Sequence, residues 1–182
     1  MHPVCVLLGV AIIVSCEDSH SPTTSNALGK DSFDWTVDTI TYPNSFQTCM
    51  RSIYGTDPND IYVVGHNDLN RGMAFHYDGS VWSPIALTSS EGGVIGKSID
   101  LYAVHGTSTH DLWVVGYELF LDPVNQRIID SSLVLHFDGV QWREMEIVDR
   151  GGTLACVWAA AINSVWTGGT GGVVLNWNGT RW

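Results

Sequence analysis

From Met50 onward the chain alternates apolar and polar residues with a period of two, in short runs punctuated by Gly, Asp, Asn and Ser. Runs of that kind turn one set of side chains to a core and the other to water, and they predict strands. Three of them line up: SIYGTDPNDIYVVG at 52–65, AVHGTSTHDLWVVG at 103–116 and CVWAAAINSVWTGG at 156–169, offset by 51 and then by 53 residues. Each is followed by a second alternating run: GMAFHYDGSVWSPIAL at 72–87, SLVLHFDGVQWREMEI at 132–147 and GVVLNWNGTRW at 172–182. One copy therefore predicts strand, turn, strand, variable loop, strand, turn, strand, which is a four-stranded antiparallel meander. Val, Ile, Trp and Tyr crowd these runs and no long stretch repeats at the helical period, so strands are expected throughout.

The pairs Asp78-Gly79, Asp138-Gly139 and Asn178-Gly179 stand between the third and fourth strands of the copies. They predict two-residue type I′ hairpins, in which both central residues take positive φ. Gly65, Gly116 and Gly169 are expected to end the second strands. Alternation places Phe75 and Tyr77 on one face, with Leu135 and Phe137, then Leu175 and Trp177, in the equivalent places, to pack between neighbouring meanders.

A meander of about 50 residues cannot bury both faces alone, and radial stacking of copies solves this as a β-propeller. The expected fold class is all-β, a partial β-propeller of about three four-stranded antiparallel blades near residues 50–87, 101–147 and 154–182. Asp34-Trp35-Thr36-Val37-Asp38-Thr39-Ile40 resembles an outer strand, so the propeller part is taken as 34–182, entered on the last strand of a blade. Three blades are fewer than the roughly four to eight that close a ring. The expectations are a chain truncated from a longer propeller, two arcs associating through open blade edges, or a small closed propeller; truncation is preferred.

The phrases DIYVVG…HYDGSVW, DLWVVG…HFDGVQW and SVWTGG…NWNGTRW resemble the tryptophan-rich propeller repeats of bacterial secreted proteins and lipoproteins, distantly similar in style to the Asp-box propellers of sialidases. The resemblance implies an exported propeller. Tyr77, Phe137 and Trp177 stand where an Asp box has its aspartate, so no sialidase residue carries over.

Residues 4–14, VCVLLGVAIIV, are too short to span a bilayer but have the length of a signal-peptide core. Ile13-Val14-Ser15-Cys16 resembles the lipobox of bacterial lipoproteins, which implies removal of residues 1–15, lipidation of Cys16 and a place in the bacterial cell envelope, with simple secretion as the alternative. The polar stretch 16–33 then reads as a tether. Cys49 and Cys156 would remain, either oxidised as a pair or buried independently.

Nineteen Asp and Glu against eight Lys and Arg give a formal charge of −11, which repels a phosphate backbone and argues against nucleic-acid binding. Any membrane contact is expected only through the lipid.

The connections after the second strand and between blades gather on one end of such a fold, and they alone vary in length. Function on repeat scaffolds concentrates on such loops. The longest, YELFLDPVNQRIIDS at 117–131, mixes Tyr117, Glu118, Phe120, Asp122, Arg127 and Asp130, an amphipathic set suited to a glycan or protein ligand. The inter-blade stretch 88–98 is a second candidate lip. His76 and His136 are repeat-equivalent, with Asn176 third, and read as a structural hydrogen bond near the hairpin. Asp60 and Asp111, with Ser164 third, read as turn caps. No motif for a metal, a cofactor or catalysis accompanies them. The function read from the sequence is an exported, lipid-anchored binding or scaffold module without assignable catalysis. The alternative is a fragment of a carbohydrate-active enzyme working through loop carboxylates.

Overall fold

The computed structural model describes residues 36–69, 72–87, 98–147 and 151–182, with Phe120 described by its backbone alone. Met1–Val37 form one unit, of which Thr36 and Val37 are described and neither lies in a strand; Asp38–Trp182 form the other. The apolar leader, Cys16, the tether, Asp34, Trp35 and residues 88–97 of the inter-blade stretch lie outside the described residues.

In the second unit the strands run in chain order through three antiparallel sheets. The first is β1 (Thr48–Asp57), β2 (Asp60–Asn67), β3 (Gly72–Tyr77) and β4 (Trp82–Pro84); the second is β5 (Ile99–Ser108), β6 (Asp111–Asp122), β7 (Arg127–Phe137) and β8 (Trp142–Glu144). The third holds β9 (Leu154–Ala161), β10 (Ser164–Gly169) and β11 (Val174–Trp177). Each sheet is a meander with its strands in sequence order. The fold is all-β, with three propeller-like blades that do not close: among the described residues the first and third sheets share no core cluster.

Ladder register sorts the side chains into two faces per blade. The leading face, turned to the preceding blade, carries the cross-strand rows Ile53–Val63–Phe75, Val104–Val114–Leu135 and Val157–Thr167–Leu175. The trailing face carries Tyr54–Tyr62–His76, His105–Trp113–His136 and Trp158–Trp166–Asn176. Val64 and Ala74 on the first blade's trailing face pack on Leu101, Val114 and Leu135 of the second. Trp113, Val115 and Val134 on the second blade's trailing face pack on Leu154, Val165 and Leu175 of the third. Each large apolar side chain buried in these seams stabilises the stack by about 1.5–3 kcal/mol. Phe75 and Leu135 therefore sit on equivalent faces, as the alternation predicts.

The outer strands are shorter than the sequence suggests, three residues each in β4 and β8. Past them the chain leaves the ladder after one bond each, Ile85 N–H to the Ala74 carbonyl and Met145 N–H to that of Val134, both 2.8 Å. Leu87 and Ile147 then drop into the seam with the next blade. This corrects the reading of Asp34–Ile40 as a strand over its described part: Asp38–Ile40 match the tail segments Ile85–Leu87 and Met145–Ile147, which are not strand either. Ile40 still packs where Leu87 does, against Val63, Met73 and Phe75.

The hairpins between third and fourth strands are not type I′. Only the glycines take positive φ, near 90° at Gly79, Gly139 and Gly179. Four residues, not two, separate the last ladder pairs, Tyr77↔Trp82 and Phe137↔Trp142. The Asp78 carboxylate accepts the N–H of Ser80 and of Val81 at 2.9 Å each, and Asp138 and Asn178 do the same for Val140 with Gln141 and Thr180 with Arg181. Side-chain capping of the backbone replaces the paired left-handed residues. These backbone donors hold the Asp78 and Asp138 carboxyls below the usual aspartate range.

Candidate functional site

The variable end of the blades is built around a β-bulge that recurs at the same repeat position. In the first blade Met50 pairs with Gly65 and Ser52 with Val64, leaving Arg51 as the extra residue. Tyr102 is extra between Leu101↔Gly116 and Ala103↔Val115, and Ala155 between Leu154↔Gly169 and Cys156↔Gly168. The glycines do not end their strands in the first two blades, contrary to expectation. They are required opposite the bulge, where a Cβ would lie 1.9 Å from the Cys49 carbonyl oxygen at Gly65, 1.9 Å from that of Asp100 at Gly116 and 2.1 Å from that of Thr153 at Gly169. A bulge re-aims the side chain it inserts.

The re-aimed side chains meet across the first seam. The Arg51 guanidinium lies 3.9 Å above the centre of the Tyr102 ring, with Nη2 3.6 Å from Asp100 Oδ2. Arg51 Nε donates to His66 Nδ1 at 3.1 Å, so that nitrogen is the unprotonated one, and it lies 3.5 Å from Asp100 Oδ1. The Tyr117 hydroxyl donates to Asp100 Oδ2 at 3.1 Å. Burial, then the Asp100 charge and this hydrogen bond, push the Tyr117 phenol up to about 12. The result is a cation stacked on an aromatic, flanked by an imidazole and a carboxylate.

Above this cluster the stretch 117–131 is not a loop. It continues β6 and β7 as a two-stranded arm, with unbroken pairing from Leu112↔Phe137 out to Asp122↔Arg127. Leu119, Phe120 and Leu121 on one strand and Ile128 and Ile129 on the other are strand-favouring residues that let the ladder extend, and Asp122 closes the tip by accepting the N–H of Val124 at 2.9 Å and the side-chain amide of Asn125 at 2.6 Å. The Asn125 bond and the backbone donors keep the Asp122 carboxyl below its usual range. Leu121, Val124 and Ile128 are exposed along the arm. At its base Ser131 bridges Gly151 and the Ser132 hydroxyl donates to the Gly152 carbonyl at 2.9 Å.

The six residues read from the sequence do not form one cluster. Tyr117 joins Asp100 at the base. Glu118 pairs with Ser131, Phe120 with Ile129 and Asp130 with Leu119 along the shaft. Asp122 and Arg127 face each other at the tip, five residues or about 17 Å from Tyr117. Arg51, His66 and Tyr102 escaped the sequence reading, in which Asp100 is one acid among several carboxylates that nothing pairs. The signal was present as failure of the repeat, since Cys49/Asp100/Thr153, Arg51/Tyr102/Ala155 and His66/Tyr117/Thr170 each change chemistry from copy to copy.

At the opposite end the repeat is kept. His76 Nε2 lies 2.6 Å from Asp60 Oδ1 and His136 Nε2 2.7 Å from Asp111 Oδ1, the structural bond expected of these histidines. Asp60 and Asp111 serve this bond rather than capping turns; Asp111 also accepts from the Trp113 indole at 3.1 Å and from the Thr107 hydroxyl. Cys49 and Cys156 are free thiols, one half-buried and one exposed, on the first and third blades. Among the described residues no three His, Cys, Asp or Glu side chains gather as a metal-ligand set.

No family model matches the chain, and no curated protein matches it. Among solved structures it is similar to "YCF48 bound to D1 peptide", with a TM-score of 0.53 and 18% identity, over 83% of this chain and 44% of that one. The likeness is one of fold, of the propeller type, and this chain spans less than half the length of that structure.

Proposed function

We propose that the chain is a binding module that takes an extended protein segment at the bulge end of its blades, gripped between the arm of β6 and β7 and the Arg51–Tyr102–Asp100 cluster. The observation that carries this is the arm. A two-stranded ribbon leaves backbone donors and acceptors along both edges, and an extended peptide satisfies such edges by adding a strand. Leu121, Val124 and Ile128 give it apolar contacts, while the seam cluster supplies a charged, aromatic anchor at the base. The similar solved structure, YCF48 bound to D1 peptide, supports a peptide over a glycan as the ligand. Nothing in the cluster is poised for turnover, since its one carboxylate is engaged by Arg51 and Tyr117. The role is that of a scaffold rather than an enzyme.

On this reading the module belongs outside the cytoplasm, held by a lipid on Cys16 with residues 1–15 removed, in the manner of the tryptophan-rich propeller lipoproteins that its repeats resemble. No helix among the described residues is long and apolar enough to cross a membrane. Intact mass of the protein from a bacterial host tests the anchor, and a product that starts at Met1 without lipid refutes it.

A peptide array probed with the full chain tests the binding. Replacing residues 120–129 by Asn-Gly and, separately, Arg51→Ala should each abolish or strongly weaken whatever peptide the native chain retains. Undiminished binding by both variants would overturn the assignment.

A further inference from the structure

The two seams inside the chain follow one rule, and the chain's outer faces carry both halves of a third. In the first seam the Tyr54 hydroxyl, from a trailing row, donates to the Gly106 carbonyl at 2.6 Å, and Val104 N–H donates to the Ser52 hydroxyl at 3.1 Å. In the second seam His105, at the position of Tyr54, accepts from the N–H of Ala159, at the position of Gly106, at 3.2 Å. The innermost trailing side chain is thus pinned each time to the same backbone position of the following blade.

The third blade offers the next trailing row, Trp158 and Trp166 beside Cys156 and Val174, and among the described residues no core cluster covers it. Trp158 is 55% exposed, Trp166 45% and Val174 67%, while Trp113 at the position of Trp166 is wholly buried. At the other end of the chain, the leading face of the first blade is covered only in part. Ile40 and Tyr42 lie on Val63, Met73 and Phe75, but Ile53 stays 65% exposed although Val104, its equivalent, is buried. Beside Ile53 a shallow depression is lined by Gly55, Pro58 and Ile61, and Gly55 is the position of Gly106 and Ala159.

We propose that the trailing face of the third blade docks on the leading face of the first blade of a second copy of this chain, with Trp158 entering the depression beside Ile53 and its indole N–H directed at the Gly55 carbonyl. The occupant is a second copy because the contact continues an interface the chain already builds twice and supplies both of its faces. The contact is head-to-tail, so one pair of copies makes it twice around a two-fold axis. The ring then holds six blades, inside the roughly four to eight that close. The inference is independent of peptide binding at the arm, whose residues lie on neither face.

Sedimentation of the full chain tests it, comparing the native protein with Trp158→Lys, Ile53→Lys and the control Val140→Lys, which alters an exposed position on a hairpin away from both faces. The native chain and the control should sediment as dimers. Each of the two face variants should sediment alone as a monomer, and an equimolar mixture of them should form dimers again, because one intact contact remains between the unaltered faces. That rescue also shows that both variants fold. A monomeric native chain overturns the proposal. So does association that survives both substitutions, which would place it in the apolar leader, or association lost in Trp158→Lys alone, which would mean third blades meeting each other. Loss in both variants without rescue overturns it as well.

Discussion

Replacing Asp111 by alanine should cost about 3 kcal/mol of folding free energy, against about 1 kcal/mol for Asp60→Ala, although the two hold the same place in the repeat. Asp111 is 5% exposed and accepts from the Trp113 indole, the His136 imidazole and the Thr107 hydroxyl. Trp113 is wholly buried, so its N–H would have no route to water, and a buried orphaned donor costs about 1–3 kcal/mol. His136 has 16% of its side chain exposed and adds part of a second such penalty. Around Asp60 the partners are His76, with a third of its side chain in solvent, and the Tyr62 hydroxyl. Water replaces the carboxylate more readily there. Urea unfolding followed by tryptophan fluorescence measures both losses, provided the denaturant slope is unchanged between variants. Adding Trp113→Phe to Asp111→Ala removes the orphaned donor, so the double variant should lose less than the sum of the single losses. Equal losses for Asp60→Ala and Asp111→Ala, or strict additivity of the pair, would refute the argument from burial.

Two smaller expectations follow from the same geometry. Asp78→Asn should leave stability at neutral pH essentially unchanged, because Asn178 already caps the equivalent hairpin with an amide oxygen; thermal unfolding checks it, and a clear drop in the midpoint would show that the charge matters. Tyr62 and Tyr117 are each pushed up to about 12, first by burial and then by Asp60 and Asp100 respectively, while in the unfolded chain they ionise near 10. Their contribution to stability is therefore complete below about pH 10 and lost as the pH rises through about 12. Burial and then the Asp111 charge also push Tyr54 up, so an ultraviolet phenolate titration should show three of the six tyrosines ionising late, and Tyr117→Phe should remove one of them.

The sequence made the sheets legible because burial enforces period-two alternation on both faces of a stacked blade. Phe75, Leu135 and Leu175 could not be placed otherwise without exposing a row of large apolar groups. Turn geometry was less legible, since Asp-Gly serves equally as the centre of a two-residue turn or as a side-chain cap with a left-handed glycine behind it. Only the φ of Asp78 tells them apart. The arm was misread as a loop because Asp122-Pro123 and Asn125 carry turn signals, while Leu119, Leu121, Ile128 and Ile129 keep the strand pattern right up to them. The seam cluster was hidden for a different reason. Arg51, Asp100 and Tyr102 are brought together by a bulge, and a bulge leaves no mark in a hydrophobic period except one residue too many.

That extra residue gives each blade a position that is written independently of its core. Arg51, Tyr102 and Ala155 stand outside the ladder, so strand pairing does not dictate what they are, while the glycine opposite holds the backbone in place whatever the side chain. The chain thus carries something like an alphabet of one letter per blade, displayed at one end of a fixed frame. The third letter is alanine, next to Thr170, and a charged or aromatic residue placed there would change what the surface recognises without asking anything of the fold. Repeats of this kind can diverge in specificity by single substitutions, and copies of them are best compared at that position rather than along the strands.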